Sequence, residues 1–231
     1  MPASPSVRSA VRQGISVALA TGAYGVSFGA LSVASGLDVW QTCVLSLLMF
    51  TGGSQFAFIG VIGGGGAGGA ATATAALLGV RNSLYGLQMA PLLRPRGLRR
   101  FAAAQVTIDE STAVALAQDD PPAQQAGFWA TGLGVFVFWN LTTLAGALLG
   151  DVLGDPAKWG LDGAAAAAFL ALLWPRLAQR QAQAIGVVAA VVAAVVIPIA
   201  PAGIPVLAAA AVTAAIAWWQ YREPPHVRGQ T

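Results

Sequence analysis

Arg81 is the residue around which this sequence has to be arranged. It sits near the middle of residues 66–93, GAGGAATATAALLGVRNSLYGLQMAPLL, an otherwise apolar stretch long enough to cross a bilayer with some tilt. A charged side chain at the bilayer centre costs about 2.5–3.5 kcal/mol on insertion scales. Either a buried counter-charge or an anion that comes and goes must offset that cost. Asn82, Ser83 and Tyr85 follow at once, and the rest of the chain is expected to form a container round this segment.

The surroundings support a membrane setting. Hydrophobic residues make up 56% of the chain and charged ones only 9%, against about 25% in soluble domains. Mean hydropathy is +0.68. These values predict an all-α, polytopic transmembrane bundle, one integral membrane domain over residues 1–231, with a basic tail at 1–12 and a polar tail at 221–231. The net charge of +3 is almost all arginine, Lys158 being the only lysine. In such a chain the excess reports loop orientation, not nucleic-acid binding. Cys43 is the single cysteine and His226, in the tail, the single histidine. An intrachain disulfide, a histidine metal cluster and a Ser–His catalytic pair inside the membrane are therefore excluded. No enzyme activity and no cofactor is expected. A GxGxxG match through Gly64, Gly66 and Gly69 has no preceding strand and no following acid, so the run GGGGAGG reads as a flexible connection or a re-entrant turn.

Seven hydrophobic segments follow one another. The first, residues 13–36, is longer than a signal-peptide core and is expected to stay as a spanning helix. Its Gly22, Gly25 and Gly29 share a face, which suits either close helix packing or a locally unwound helix that exposes backbone to a ligand. The second, residues 40–62, carries Thr51-Gly52-Gly53-Ser54-Gln55 at its centre. A break that lines a cavity accounts for the glycines and the polar groups together. The third holds Arg81. After it comes RPRGLRR, residues 94–100, the strongest cytoplasmic marker in the chain. Residues 101–118 are helical in composition and carry Asp109 and Glu110. They form either a surface helix with its acids in water or a helix packed on the bundle with one acid facing Arg81. Pro121 and Pro122 forbid a helix continuous with it. The fourth segment is residues 127–149, with Trp129, Phe136, Phe138, Trp139 and Asn140. The fifth is 159–177 with Asp162, the sixth 182–200 and the seventh 204–220, which ends in an interfacial Trp218–Trp219 pair.

The arginines at 94–100, 176–180 and 222–228 are consistent with one side of the membrane. Arg8 and Arg12 are not, because three segments separate them from Arg94. Either the N-terminus faces out, or an early segment is re-entrant, or residues 101–118 also cross. An internal echo, ATGAYGVSF at 20–28 and ATGLGVFVF at 130–138, suggests two related halves, though an Ala/Gly-rich chain also produces such matches by chance.

Read together, YGVSFGALS at 24–32, FTGGSQFAF at 50–58, VRNSLYGLQMAPLLR at 80–94 and IDESTAVAL at 108–116 resemble the AzlC-type permeases, the large subunits of branched-chain amino-acid exporters. The similarity covers about residues 10–180. The family pattern commonly has Asn-Leu-Arg-His before the tyrosine. Arg81 and Tyr85 match it, while Gly79 and Asn82 depart. The resemblance implies a multi-pass permease of the cell membrane that exports branched-chain or other hydrophobic amino acids. It also implies a small hydrophobic AzlD-type membrane subunit as partner and the proton gradient as driving force. Combined with the residue pattern, it makes Tyr24, Phe28, Gly29, Ser54, Gln55, Arg81, Asn82 and Tyr85 candidates for substrate binding. Asp109 and Glu110 are candidates for the counter-ion or coupling role. The rival functions are a non-transporting scaffold and a passive channel.

Overall fold

Two long helices set the frame. The computed structural model describes residues 4–153, 158, 170 and 173–222. Most of the fifth hydrophobic segment, Asp162 included, and the tail from residue 223 lie outside the described residues. Helix α1, Pro5–Ala23, starts where Ser4 Oγ accepts the Val7 N–H at 3.3 Å and Pro5 takes a first-turn position that needs no donor. The basic residues 5–12 are thus its first turns. Helix α2, Gly25–Ala34, continues it, with only Tyr24 between them. Tyr24 keeps right-handed torsions (φ −66°, ψ −18°) and its carbonyl accepts the Phe28 N–H at 3.1 Å, so the chain is not unwound at Gly25 or Gly29.

The glycines serve packing instead. They bring α1 and α2 against the helix Pro121–Leu153, which is α8 in chain order. Gly14 meets Thr131, Gly22 meets Phe138, Gly25 meets Thr142, Gly29 meets Ala147, and from the other side Gly150 meets Ala30. Partners advance together along both helices, so the two run parallel in a small-residue seam. A Cβ on Gly25 or Gly29 would strike the carbonyl oxygens of Trp139 or Thr143. Helix α8 begins at the prolines rather than after them. Asp120 Oδ1 caps it by accepting the Ala123 N–H at 2.9 Å, and proline is compatible with a first turn. The two echoed sequences lie within this parallel pair.

The second hydrophobic segment folds back on itself. Helix α3, Val39–Leu48, and helix α4, Gly53–Gly63, have 10 and 11 residues. Each is about 15 Å long, half of a hydrocarbon core. Helix α3 leaves beside the end of α2, where Thr42 Oγ1 donates to Ser32 Oγ at 3.0 Å. Midway along α8, Phe50 meets Phe136 with ring centroids 5.0 Å apart. Helix α4 then returns to the starting level, where Gly63 packs on Ser35. Gly52 makes the turn with φ 59° and ψ −83°, torsions open to glycine alone.

Helix α5, Gly68–Leu93, runs the other way through 26 residues and finishes where Gln125 Nε2 donates to the Leu92 carbonyl at 3.1 Å, beside the start of α8. Its end, with Arg94 and Arg96, therefore lies at the same end of the bundle as Arg8 and Arg12. A second hairpin leaves from there. Helix α6, Arg99–Gln105, and helix α7, Asp109–Leu116, are separated by three β-branched residues, Val106, Thr107 and Ile108, which disfavour helix. Ser111 Oγ fixes the restart by accepting the Ile108 N–H at 3.0 Å and donating to the Val106 carbonyl at 2.7 Å. Gln118 at the end of α7 donates to Gln13 at 3.0 Å, so this hairpin also returns to its own end.

The 3-10 helix Trp174–Ala178 leads into α9, Arg180–Val196, and α10, Ile204–Arg222. The turn between them packs on Gly64 and Gly66, at the end opposite the arginines. Among the described residues there is no strand, and the molecule is an all-α membrane bundle.

Candidate functional site

The two hairpins enter from opposite ends, and their tips meet at Arg81. Arg81 Nη2 lies 2.9 Å from Asp109 Oδ2, at the first residue of α7. The same nitrogen donates to the Thr51 carbonyl at 3.4 Å, in the turn before α4. Asn82 Nδ2 donates to the Thr107 carbonyl at 3.2 Å, in the turn before α7. Gln105 Nε2 donates to the Leu47 carbonyl at 2.7 Å and joins the ends of the two outer arms. A broken helix leaves carbonyls without intrahelical donors, and burying them unpaired costs about 1–3 kcal/mol each. Arg81, Asn82 and Gln105 supply those donors.

The offset to the Arg81 charge is thus an acid on the 101–118 stretch, packed inward. Its side chain and that of Asp109 are 28% and 17% exposed, so the pair is neither sealed nor in bulk water. On one side lies a cavity of about 830 Å³. Arg81, Gln88, Asp109 and Glu110 give it polar wall, and Leu84, Tyr85, Leu116 and Leu173 give it apolar wall.

On the other side is a buried aromatic cluster. Phe28, fully buried, stacks on Trp139 (centroids 6.0 Å, 26°) and meets Phe56 edge-on at 5.6 Å. Ser54 and Gln55 sit in the first turn of α4 and are 1% and 0% exposed. Gln55 Oε1 accepts the Gly52 N–H at 3.0 Å and so stabilises the turn. Its Nε2 makes no hydrogen bond, nor do Ser54 Oγ, Arg81 Nε, Asn82 Oδ1 and Trp139 Nε1.

Of the residues singled out from sequence, the structure brings Ser54, Gln55, Arg81, Asn82, Asp109 and Glu110 to the hairpin tips, with Tyr85 on the cavity wall and Phe28 behind. Tyr24 is half-exposed at the α1–α2 joint, and Gly29 is committed to the α8 seam. Trp139 and Thr107 belong to the site and were not singled out, and Thr51, read from sequence as part of the polar break, enters it through its carbonyl. The backbone carbonyls of Thr51 and Thr107 leave no mark in a sequence. Trp139 does: an indole N–H in the middle of a spanning segment needs a partner.

The AzlC protein family model matches residues 16–153, which contain both hairpins, α5 and α8. No curated protein and no solved structure matches the chain. The match covers more than half of the chain and every residue of the Arg81 site except Leu173, and by it this protein belongs to the AzlC family of membrane transport proteins.

Proposed function

We propose that this protein is a multi-pass permease of the cell membrane that exports hydrophobic amino acids, branched-chain ones among them. One observation carries the reading: a charged pair, Arg81–Asp109, held where two half-depth hairpins meet, beside a cavity with both acidic and leucine-rich walls. Broken helices at mid-depth are the usual means by which transporters present polar groups to a substrate. At about 830 Å³ the cavity falls within the range of small-molecule sites. Arg81 would take the α-carboxylate, Glu110 with Gln88 the ammonium, and Leu84, Tyr85 and Leu116 the side chain. Asp109 exchanges Arg81 with the substrate, and proton uptake by Asp109 or Glu110 would couple export to the proton gradient. A small AzlD-type subunit, implied by the family resemblance, acts with it.

In this arrangement α1–α2, α5 and α8 cross, and the two hairpins do not. Arg8, Arg12 and residues 94–100 then share the cytoplasmic side, as the positive-inside rule requires. The test is efflux. Cells expressing the protein with its small partner should resist toxic leucine or valine analogues and release branched-chain amino acids faster when fed dipeptides. Equal efflux with and without the protein, across leucine, isoleucine, valine and methionine, would remove the substrate class. Release that does not saturate would make it a passive channel.

A further inference from the structure

We infer that Trp139 is a binding residue, and that with Ser54 and Gln55 it receives a carboxylate at the N-terminus of α4. The inference rests on the amino-acid reading above and adds to it a residue and a place for one end of the substrate.

Helix α4 has 11 residues and starts at mid-depth, so its first N–H groups and the positive end of its dipole face the interior of the bundle. Independent of the helix end, the side chains around it are short of an acceptor. Gln55 is completely buried, and its one bond, from Gly52 N–H to Oε1, fixes which amide atom is left over. That atom is Nε2, a donor, and it makes no hydrogen bond. Because Oε1 is bound to Gly52, the amide lies over the first turn of α4 itself. Ser54 Oγ, in the same turn, makes none either. Trp139 reaches the turn from α8. Its ring lies 6.1 Å from that of Phe56, the residue after Gln55, and is 3% exposed, with Nε1 unbonded.

The sign of the deficit identifies the ligand. Indole N–H and amide N–H can only donate, a serine hydroxyl can donate, and a helix N-terminus favours negative charge. All of them are satisfied at once by a carboxylate, which accepts several hydrogen bonds and carries the charge. A cation satisfies none of the donors. The carboxylate would sit between α4 and Arg81, with Arg81 Nε, also unbonded, on its near side. Trp139 thereby differs from its aromatic neighbours: Phe28 and Phe56 shape the wall, whereas the indole N–H reads the substrate.

The experiment uses the full-length purified protein and three small probes: leucine, 4-methylpentanoate (leucine without its ammonium) and 3-methylbutylamine (leucine without its carboxylate). Binding is read as a ligand-dependent rise in melting temperature and by calorimetry, for wild type, Trp139→Phe and Gln55→Glu. Phenylalanine keeps the ring stack and loses the N–H. Glutamate keeps the acceptor for Gly52 and loses the donor. Leucine and 4-methylpentanoate should bind wild type, and 3-methylbutylamine should not. Each variant should weaken the carboxylate probes at least about tenfold, the loss expected for one hydrogen bond to a charged group. Unaltered affinity in a folded Trp139→Phe protein overturns the inference and leaves the amino-acid reading standing. Binding of 4-methylpentanoate without any amino acid, lost in both variants, upholds the carboxylate site and removes the amino-acid reading. If no carboxylate probe binds wild type, both fall. If Trp139→Phe does not fold, Gln55→Glu decides by the same comparison.

Discussion

Arg81 on α5 and Asp109 on α7 are separated by 27 intervening residues and two chain reversals, yet their side chains approach to 2.9 Å. The contact joins α5, which runs against the α1–α8 pair, to the hairpin entering from the arginine end. Asp109→Ala should therefore destabilise the detergent-solubilised protein by about 1.5–3 kcal/mol, the range for a hydrogen bond to a charged group. Arg81→Asp with Asp109→Arg should recover part of what either reversal loses. The measurement is a double-mutant cycle on unfolding. Additivity within about 0.5 kcal/mol would show two independent sites.

Sidedness is checked by labelling. Leu98 is 86% exposed in the loop between α5 and α6. Gly68 lies at the other end, with open space where a side chain would be added. In a Cys43→Ala background, a cysteine replacing Gly68 should react with an impermeant thiol reagent in intact cells. One replacing Leu98 should react only after the membrane is opened. The reverse pattern would invert the molecule.

Two glycines in the α3–α4 hairpin and its neighbourhood should answer oppositely to alanine. Neither Gly52 nor Gly60 has an atom within 4 Å of a new Cβ. Gly52 is left-handed, at φ 59°, so Gly52→Ala should cost about 1–3 kcal/mol in backbone strain. Gly60 is inside α4, so Gly60→Ala should gain about 0.5–1 kcal/mol. Thermal unfolding of the two variants reads both signs. Equal effects would mean that Gly52 does not hold the turn.

Much of this architecture was legible in the sequence, and the limits have physical causes. The charge at Arg81 required a counter-ion, and the acids at 109 and 110 were the available ones. The paired glycines at 52 and 53 marked the first break. The segment's direction after the break was open, because hydropathy is the same for a helix that continues and for one that turns back. Only contacts such as Gly63 with Ser35 distinguish them. Of the three ways to reconcile Arg12 with Arg94, the α3–α4 hairpin, which folds back to the level of Ser35, fits a re-entrant second segment. The glycines at 22, 25 and 29 could serve a ligand or a helix, and the position of α8 decides for the helix.

Gly79 carries a further prediction. In this sequence it stands where the resembling family commonly has asparagine. A Cβ there would lie 3.6 Å from Ser54 Oγ, an ordinary contact. Gly79→Asn should raise the melting temperature by relieving helix entropy and giving Ser54 a partner. It should also weaken carboxylate binding by engaging that hydroxyl. A stabilised protein with unaltered leucine affinity would take Ser54 out of the site.

The seam of α1–α2 on α8 has a mechanical meaning. Glycines, alanines and threonines at contact distance have few or no rotamers to exchange, and their backbones interlock as gear teeth do. Sliding by less than a full helical turn would drive carbonyls into Cα atoms. This pair therefore works as a stator. Strain delivered at the centre of the bundle is diverted to the parts without such teeth, which are the two hairpin tips and the stretch of α5 that bridges them. Backbone hydrogen exchange should fall in that order, slowest along residues 14–30 and 127–147 and fastest at 49–52 and 106–108; a seam that exchanges as fast as the tips would show that the frame itself moves.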